Sequence, residues 1–411
     1  MILIVSSLAD DHTVAVLDRL AERDADVRLL DLSAFPTALG LAVDYHPDGG
    51  YGYRIADAAE EVDLSEVNAV WWRRPQPFEL DPSVVDPVDR QFAYTECSQA
   101  VNGLFHVLDA AWMNDPTLDT VAGHKLYQLR VAGEAGLEVP RTRVTNDPAS
   151  ARAFAEETGS DGTVYKAFIA QPEAWRETRV LTPEEAAHLD DVALAPVIFQ
   201  EYVPADVDLR ITVVGEEVFA VAIDASDTDY PTDYRMNVGE ARVEPHDLPT
   251  AVRERLRAFM DRLGLVYGAI DMRLTPDGRY VFLEVNPSGL WLFVEEPTGL
   301  PITDAVVDWF LAHDAVPAGD VAGVATGQGT TEGESRTPED GVEAETEEAG
   351  ENVDEADTGS GTETGTEAGD RARTEGEPAG GALSERERRR EARRRERVRR
   401  RRQVRRTDRE E

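Results

Sequence analysis

The sequence predicts an α/β protein, and three observations support this fold class. The chain opens with an apolar run at residues 2 to 5 that is typical of a buried strand. A helical pattern near residues 12 to 22 and a strand pattern at residues 27 to 32 follow, which is the order of a β-α-β unit. All six tryptophans lie in the first 313 residues, a length sufficient for two domains or a multilobed enzyme.

A further strand is predicted at residues 67 to 72, and it ends in the adjacent pair Arg73 and Arg74. Such a pair can bind a carboxylate or a phosphate through parallel hydrogen bonds, but surface charge explains it equally well. The helical pattern at residues 92 to 108 contains Cys97, the only cysteine, which we expect to be buried. One cysteine excludes an internal disulfide framework. No G-x-G-x-x-G follows the first strand, so a dinucleotide site there is unsupported.

Two alternating strands flank Asp277-Gly278, a preferred pair for a two-residue hairpin turn. With this turn Pro276 faces Arg279, and counting outward places Asp271 directly opposite Glu284. The opposite face of the hairpin would then be core, formed by Ile270, Met272, Leu274, Val281, Leu283 and Val285.

The predicted polar face of this hairpin contains Asp271, Glu284 and Asn286. Two facing carboxylates repel each other unless a cation intervenes. Together with an amide oxygen they are hard ligands that suit Mg²⁺ or Mn²⁺. In the alternative interpretation, Arg273 neutralises both acids in a surface salt-bridge ladder.

Lysine is almost absent from the chain: Lys125 and Lys166 are the only two among 42 basic residues. A lysine is a compact point charge that arginine does not replace at every site. Compositional bias would remove dispensable lysines first, so we expect the two that remain to bind a ligand. The alternative is that both are relics of that bias.

The net charge of the chain is −39, and its distribution is uneven. Residues 384 to 411 contain 15 arginines and 7 acids, a net +8, so residues 1 to 383 carry −47. An acidic surface that lacks lysine is typical of a protein kept soluble in a salt-rich cytoplasm. No apolar run resembles a signal peptide or a membrane span, so we expect a cytoplasmic protein without a membrane partner.

Composition separates a folded region, residues 1 to 313, from two further segments. Residues 314 to 383 lack aromatic side chains and form a disordered acidic linker. Residues 384 to 411 form an Arg-rich helix that either binds an acidic protein, RNA or the ribosome, or is simply solvated.

The ordered set of these residues resembles the ATP-grasp superfamily over about residues 115 to 313. The resemblance rests on Lys125, Lys166, the apolar strand that runs into Gln200-Glu201-Tyr202-Val203, and Asp271 with Glu284-Val285-Asn286. Finer motifs resemble the branch of RimK-type glutamate ligases and microviridin-type peptide maturases, and they extend into the N-terminal domain. These motifs are Trp71-Trp72-Arg73-Arg74-Pro75, Asn114-Asp115-Pro116, His124-Lys125-Leu126-Tyr127-Gln128-Leu129, Glu138-Val139-Pro140-Arg141-Thr142, Asp208-Leu209-Arg210 and Glu284-Val285-Asn286-Pro287-Ser288-Gly289.

The resemblance implies an N-terminal α/β domain at residues 1 to 114 and a two-lobed α+β catalytic module at residues 115 to 313, with ATP between its lobes. It also implies a role for each residue. Lys125 and Lys166 would bind phosphates, and Asp271, Glu284 and Asn286 would hold the metal ions. The adenine would contact Gln200, Glu201, Tyr202 and Val203, and the ribose would contact Asp208. Arg210 and Arg235 would stabilise the developing charge on the transferred phosphoryl group.

One departure concerns the phosphate loop. No glycine lies between Gly162 and Gly215, whereas many relatives have a glycine-rich loop after the second lysine. Glycine allows main-chain amides to approach phosphates closely, so Arg176 or Arg179 is expected to supply that contact instead.

The implied activity is an ATP- and Mg²⁺-dependent ligase that forms an acyl phosphate on a peptide, a protein or a small carboxylate. An amine or hydroxyl group then attacks the acyl phosphate and displaces phosphate. Two alternatives stay open at the level of sequence. One is a phosphotransferase on the same scaffold, and the other is a non-enzymatic ribosome- or RNA-associated protein acting through its basic end.

Overall fold

The computed structural model describes residues 1–58, 60–159, 162–168, 178–225 and 241–315, all within one compact unit. Its strands are β1 (Ile2–Val5), β2 (Val27–Leu30), β3 (Gly40–Tyr45), β4 (Tyr51–Ala56), β5 (Glu61–Asp63), β6 (Ala69–Trp72), β7 (Ala111–Met113), β8 (Thr142–Thr145), β9 (Thr163–Lys166), β10 (Arg179–Val180), β11 (Val197–Glu201), β12 (Val207–Val214), β13 (Glu217–Asp224), β14 (Arg242–Pro245), β15 (Tyr267–Leu274) and β16 (Tyr280–Asn286). Its α-helices are α1 (Asp11–Glu22), α2 (Pro87–Val107), α3 (Pro116–Ala122), α4 (Lys125–Glu134), α5 (Pro148–Thr158), α6 (Pro183–Ala186), α7 (Thr250–Leu263), α8 (Leu292–Thr298) and α9 (Ile302–Asp314).

Several predictions concern residues outside these ranges. Arg235, Arg176 and the linker and Arg-rich end beyond residue 315 are among them. Within the described ranges, no helix combines the length and apolar character needed to cross a membrane.

The N-terminal region is built on a parallel sheet of order β2-β1-β6-β7, with a separate antiparallel sheet β3-β4-β5. Its first strand is completely buried, as its apolar run predicts. The side chain of Asp10 caps α1 by accepting from the main-chain N–H groups of His12 and Thr13, which explains where this helix begins. Cys97 is buried in α2 as predicted.

The remaining residues form two antiparallel sheets, of order β10-β9-β11-β8 and β14-β13-β12-β15-β16. Helix α5 packs against the first of these sheets around Phe154 and Phe199. Helices α4 and α7 pack against the second around Leu256 and Phe259. The mixture of parallel and antiparallel sheets with helices confirms the predicted α/β fold class.

The β15–β16 hairpin confirms the main register prediction but not the predicted turn. Asp271 pairs directly with Glu284, as expected. Pro276 does not face Arg279, however, because Leu274 pairs with Tyr280 and the Thr275 N–H donates to the Arg279 carbonyl, which leaves three residues, 276 to 278, in the turn. Gly278 adopts φ 84°, the left-handed conformation that this longer turn requires.

A β-bulge between Asp271 and Met272 shifts the pairing by one residue, so that Asp271 still lies opposite Glu284 despite the longer turn. The predicted core face is therefore partly wrong, since Phe282 occupies the core beside α7 in place of Leu283, while Val281 is buried but pairs with Arg273. The Phe282 ring packs edge-on against Phe259 with centroids 4.9 Å apart. The Phe282 ring has more apolar surface to bury than the Leu283 side chain, which explains why Phe282 points into the core.

Candidate active site

Strands β12 and β15 align two oppositely charged pairs side by side. Arg210 lies opposite Asp271, and Asp208 lies opposite Arg273. The Nη1 of Arg210 donates to Oδ1 of Asp271 at 2.9 Å, and Nε of Arg273 donates to Oδ1 of Asp208 at 2.9 Å. All four side chains are buried, so each pair compensates charges that burial would otherwise destabilise. Asp208 and Arg210 thus share a strand face, as predicted.

Lys125 joins this polar face from the start of α4. Gln128, one turn later, donates to the main-chain O of Val285 and accepts from its N–H, which fixes α4 beside β16. Lys125 Nζ consequently reaches the Glu284 carboxylate and forms an ion pair with it. The structure therefore brings together Lys125, Glu284, Asp271 and Arg210 on one face of the sheet, next to its edge strand β16.

Asn286 ends β16 and pairs with Ala269 on β15. It is exposed, and its Oδ1 accepts from the Ser288 N–H at 3.0 Å. The oxygens of Asp271, Glu284 and Asn286 are suitable donors for a hard divalent cation. The described residues contain no group of three or more His, Cys, Asp and Glu placed to hold a metal. A cation at this edge would therefore need phosphate or water oxygens to complete its coordination.

Lys166 lies at the end of β9, on the other sheet. Its Nζ donates to Oε1 of Gln200 at 3.3 Å, and Gln200 Nε2 in turn donates to Thr142. The structure thus brings Lys166 together with the first residue of the predicted adenine-binding segment.

The predicted adenine-binding segment is held by its main chain. The Glu201 N–H donates to the Arg141 carbonyl, and the Tyr202 N–H donates to the Gly162 carbonyl. The Val203 carbonyl accepts from Nη1 of Arg273 at 2.7 Å. Arg273 therefore joins this segment to Asp208, whereas the sequence suggested only that it neutralises Asp271 and Glu284.

The loop after Asn286 is held by side-chain hydrogen bonds to four consecutive main-chain carbonyls, those of residues 287 to 290. The carbonyl of residue 287 accepts from Asn114, and that of 288 accepts from Arg73 and Arg74. The carbonyl of residue 289 accepts from Arg73 and Tyr267, and that of 290 accepts from Arg210. Side chains that follow β6 and β7 of the N-terminal sheet, together with side chains of β12 and β15, thereby position the segment that follows the proposed metal ligand.

His12 adds a further contact to this loop from α1. Its Nε2 accepts from the main-chain N–H groups of Trp291 and Leu292, so this nitrogen must be unprotonated. Burial lowers the pKa of His12, which agrees with the neutral form. Burial alone would raise the pKa of Asp10, but the His12 hydrogen bond and the Arg73 charge outweigh it and leave that pKa below its ordinary value.

Two further ionisable groups border the loop. Burial raises the pKa of Tyr267 to about 12, so its hydroxyl stays a donor to the carbonyl of residue 289. Burial also raises the pKa of Asp119 to about 6, against the lowering effect of its hydrogen bonds with Asn114 and Ser288. Asp119 is therefore a carboxyl group that changes charge near neutral pH.

The sequence did not predict that His12, Asn114, Arg73 and Tyr267 hold this loop. The signal for Asn114 was its Asn-Asp-Pro motif, and the signal for Arg73 was its position at a strand end. No local pattern distinguishes His12 or Tyr267 from other core residues. Arg235 lies outside the described residues and remains a sequence prediction.

Comparisons with known proteins agree with this architecture. The family model of the MvdD pre-ATP grasp domain matches residues 1–120. The macrocyclase MdnC from Microcystis aeruginosa MRC, solved with precursor peptide MdnA, is 32% identical with a TM-score of 0.67, over 76% of this chain and 99% of MdnC. The ATP-grasp ligase PsnB is 25% identical with a TM-score of 0.61, over 76% of this chain and 98% of PsnB. A probable alpha-L-glutamate ligase of Enterobacter sp. (strain 638) is 27% identical over 217 residues, 51% of this chain and 70% of that protein.

Proposed function

This chain belongs to the ATP-grasp ligases, in the branch that modifies precursor peptides, and from that premise we propose that it links a peptide side-chain carboxylate to an amine or hydroxyl group. The observation that supports this most is the pairing of Asp271 with Glu284 at the edge where Lys125 and Arg210 converge. MdnC was solved with a precursor peptide, which favours a peptide substrate here.

ATP and Mg²⁺ are the proposed cofactors, with Mn²⁺ as a possible substitute for Mg²⁺. PsnB was solved with Mg and ADP. In this chain Asp271, Glu284 and Asn286 would hold the metal, which would neutralise the β- and γ-phosphates when bound. Lys125 would then exchange its Glu284 contact for a phosphate, and Lys166 would bind a second phosphate from the opposite sheet.

The nucleoside would lie along the segment from Gln200 to Val203. Among the described residues none accepts from the Val203 N–H, which leaves this donor for an adenine nitrogen. Asp208 would accept from a ribose hydroxyl. Arg210 would stabilise the charge of the acyl phosphate while its bond to Asp271 keeps it oriented. Arg235 is proposed for the same role on the strength of the sequence alone.

The reaction would proceed in two steps. A carboxylate oxygen attacks the γ-phosphorus, the bond from that phosphorus to the β–γ bridging oxygen breaks, and ADP leaves. An amine or hydroxyl then attacks the acyl carbon, phosphate leaves, and one proton is released. Because water would hydrolyse the acyl phosphate, the two lobes must exclude it.

Hydroxylamine trapping tests this proposal. With ATP, Mg²⁺ and a capped peptide whose only carboxylate is one Glu side chain, hydroxylamine should convert the acyl phosphate to a hydroxamate, with ADP formed in equal amount. A phosphotransferase would add a phosphate to the peptide instead. Formation of ADP without any hydroxamate would contradict the ligase proposal.

The natural substrate can be found by mass spectrometry of cellular peptides with and without the gene. A linked product weighs one water less than its precursor. A partner for the Arg-rich end, whether RNA, the ribosome or an acidic protein, remains a sequence prediction.

A further inference from the structure

The two arginines that follow β6 are adjacent in sequence but have different environments. Arg73 is fully buried, and its Nη1 donates to the carbonyls of Ser288 and Gly289 at 2.8 and 3.0 Å. Its guanidinium also packs against the rings of Trp71 and Trp291. Arg73 therefore supports the loop and has no surface on which to bind a substrate.

Arg74 is exposed, and its backbone adopts φ 47°, the left-handed region that non-glycine residues rarely occupy. Its Nε donates to the Ser288 carbonyl at 3.0 Å. Such backbone conformations persist only where surrounding contacts enforce them, and they concentrate at functional sites. The conformation of Arg74 directs its guanidinium to the loop that follows the proposed metal ligand.

The charge environment of Arg74 is unusual for this chain. Most arginines in the described ranges form an ion pair with an acid, as Arg54 does with Asp44 and Arg130 with Glu134. Across those same ranges, no carboxylate lies within ion-pairing distance of Arg74. In a chain of net charge −39, an exposed arginine without an acidic neighbour is available to an external anion.

The position of Arg74 relates it to the proposed chemistry. Ser288, which accepts from Arg74, itself donates through its N–H to Asn286. Arg74 also follows the carboxyl end of β6, and β1 lies between β2 and β6 in the parallel sheet. The chain places β2 on one side of β1 and β6 and β7 on the other, so the strand order reverses at β1. Open α/β sheets bind ligands beside the strand at which the order reverses.

We infer that Arg74 binds the carboxylate of the acyl donor and presents it to the γ-phosphate. This inference rests on the proposed ligase function. The proposed phosphate-binding lysines lie on α4 and β9, whereas Arg74 follows β6 of the N-terminal sheet and contacts the Ser288 carbonyl. A guanidinium can hold both oxygens of a carboxylate through parallel hydrogen bonds. Arg74 stays protonated throughout and exchanges no proton with the substrate.

The γ-phosphate of ATP is the other anion that Arg74 could bind. Steady-state kinetics distinguishes it from the peptide carboxylate. The assay is hydroxamate formation from the capped single-Glu peptide with ATP, Mg²⁺ and hydroxylamine. In Arg74→Gln, the KM for the peptide should rise about 10- to 100-fold, on the scale of a charge-assisted hydrogen bond, while the KM for ATP stays within about twofold. Arg74→Lys should restore part of the lost affinity.

The matched control is Arg90→Gln. Arg90 is also an exposed arginine of the N-terminal region that donates to a main-chain carbonyl, that of Val84, and it should leave both KM values unchanged. Far-UV circular dichroism and ATP binding check that each variant is folded.

A second measurement uses binding alone. Replacing the peptide Glu by Gln should weaken binding to the wild-type protein in the presence of Mg²⁺ and a non-hydrolysable ATP analogue, but should make little difference to Arg74→Gln. Equal losses in both proteins would overturn the inference, as would an unchanged peptide KM or a raised KM for ATP alone. Wild-type protein that forms no hydroxamate would instead overturn the proposed function, and this inference with it.

Discussion

Gly289 lies at the tightest contact in the loop after β16, and its replacement by alanine should damage both stability and activity. A Cβ on Gly289 would lie 2.3 Å from the Cβ of Ala269 and 2.9 Å from Nη2 of Arg210. Carbon atoms pack at about 3.5 to 4.0 Å, so the loop or strand β15 must move by more than about 1 Å. Ala269 is fully buried in the centre of β15, so the loop should be the part that moves.

The displaced loop would lose hydrogen bonds as well as suffer the steric clash. The carbonyl of residue 289 accepts from Arg73 and Tyr267, and that of residue 290 accepts from Arg210. Overpacking of a core costs about 1 to 3 kcal/mol, and each lost hydrogen bond adds about 1 kcal/mol. If one of these three hydrogen bonds is lost, we expect Gly289→Ala to lower the free energy of unfolding by about 2 to 4 kcal/mol, measured by urea denaturation. Hydroxamate formation should fall as well, because Arg210 loses the carbonyl of residue 290 that helps to orient it.

Two variants control this experiment. Gly103→Ala introduces the same methyl group in α2, where nothing lies within 4 Å, so it should not destabilise the protein. Ala269→Gly removes the other half of the clash, so combining it with Gly289→Ala should recover stability beyond the sum of the single changes. Strict additivity of the pair, or a Gly289→Ala protein as stable as wild type, would refute the steric argument.

Three other predictions concern charged and polar groups of the site. Changing Glu284 to Gln together with Asn286 to Ala should abolish ADP formation with the far-UV circular dichroism unchanged, because both residues lie on the polar face; residual turnover would contradict the metal assignment. Changing Lys125 or Lys166 to Met should weaken ATP binding by about 1 to 3 kcal/mol in calorimetry. Arginine at either position should restore ATP binding only weakly, because its planar guanidinium group places its N–H donors differently from an ammonium group. Full ATP affinity in an arginine variant would count against the phosphate role. Because the pKa of Asp119 is about 6 in the folded state against 3.8 ordinarily, the folded state holds an extra proton between these values, so stability falls as pH rises through this window. Asp119→Asn should remove that fall, and parallel pH profiles for the two proteins would disprove it.

In the β15–β16 hairpin the predicted carboxylate pair is correct although the predicted turn is wrong. Alternation with period two placed Asp271 opposite Glu284, and the structure confirms this pair. The predicted turn was one residue too short, and the bulge beside Asp271 compensates for that error. The bulge could not be predicted, because it depends on the packing of Phe282 against Phe259 in a helix that lies earlier in the chain.

The sequence alone determined the features that depend on local geometry and on residue chemistry. Strand and helix periods located β1, α1 and β6, because the direction of side chains follows from the backbone conformation of neighbouring residues. The scarcity of lysine singled out Lys125 and Lys166, and the alternating hairpin singled out the polar face.

Only the tertiary structure decided which partner each of these groups has. Lys125 pairs with Glu284, 159 residues away, because Gln128 fixes α4 beside β16. Arg73 and Arg74 have the same side chain at consecutive positions, yet one is buried beneath the loop and the other is exposed beside it. The energy of a charged group depends on its burial and on its neighbours in space, and these are set by the path of the whole chain.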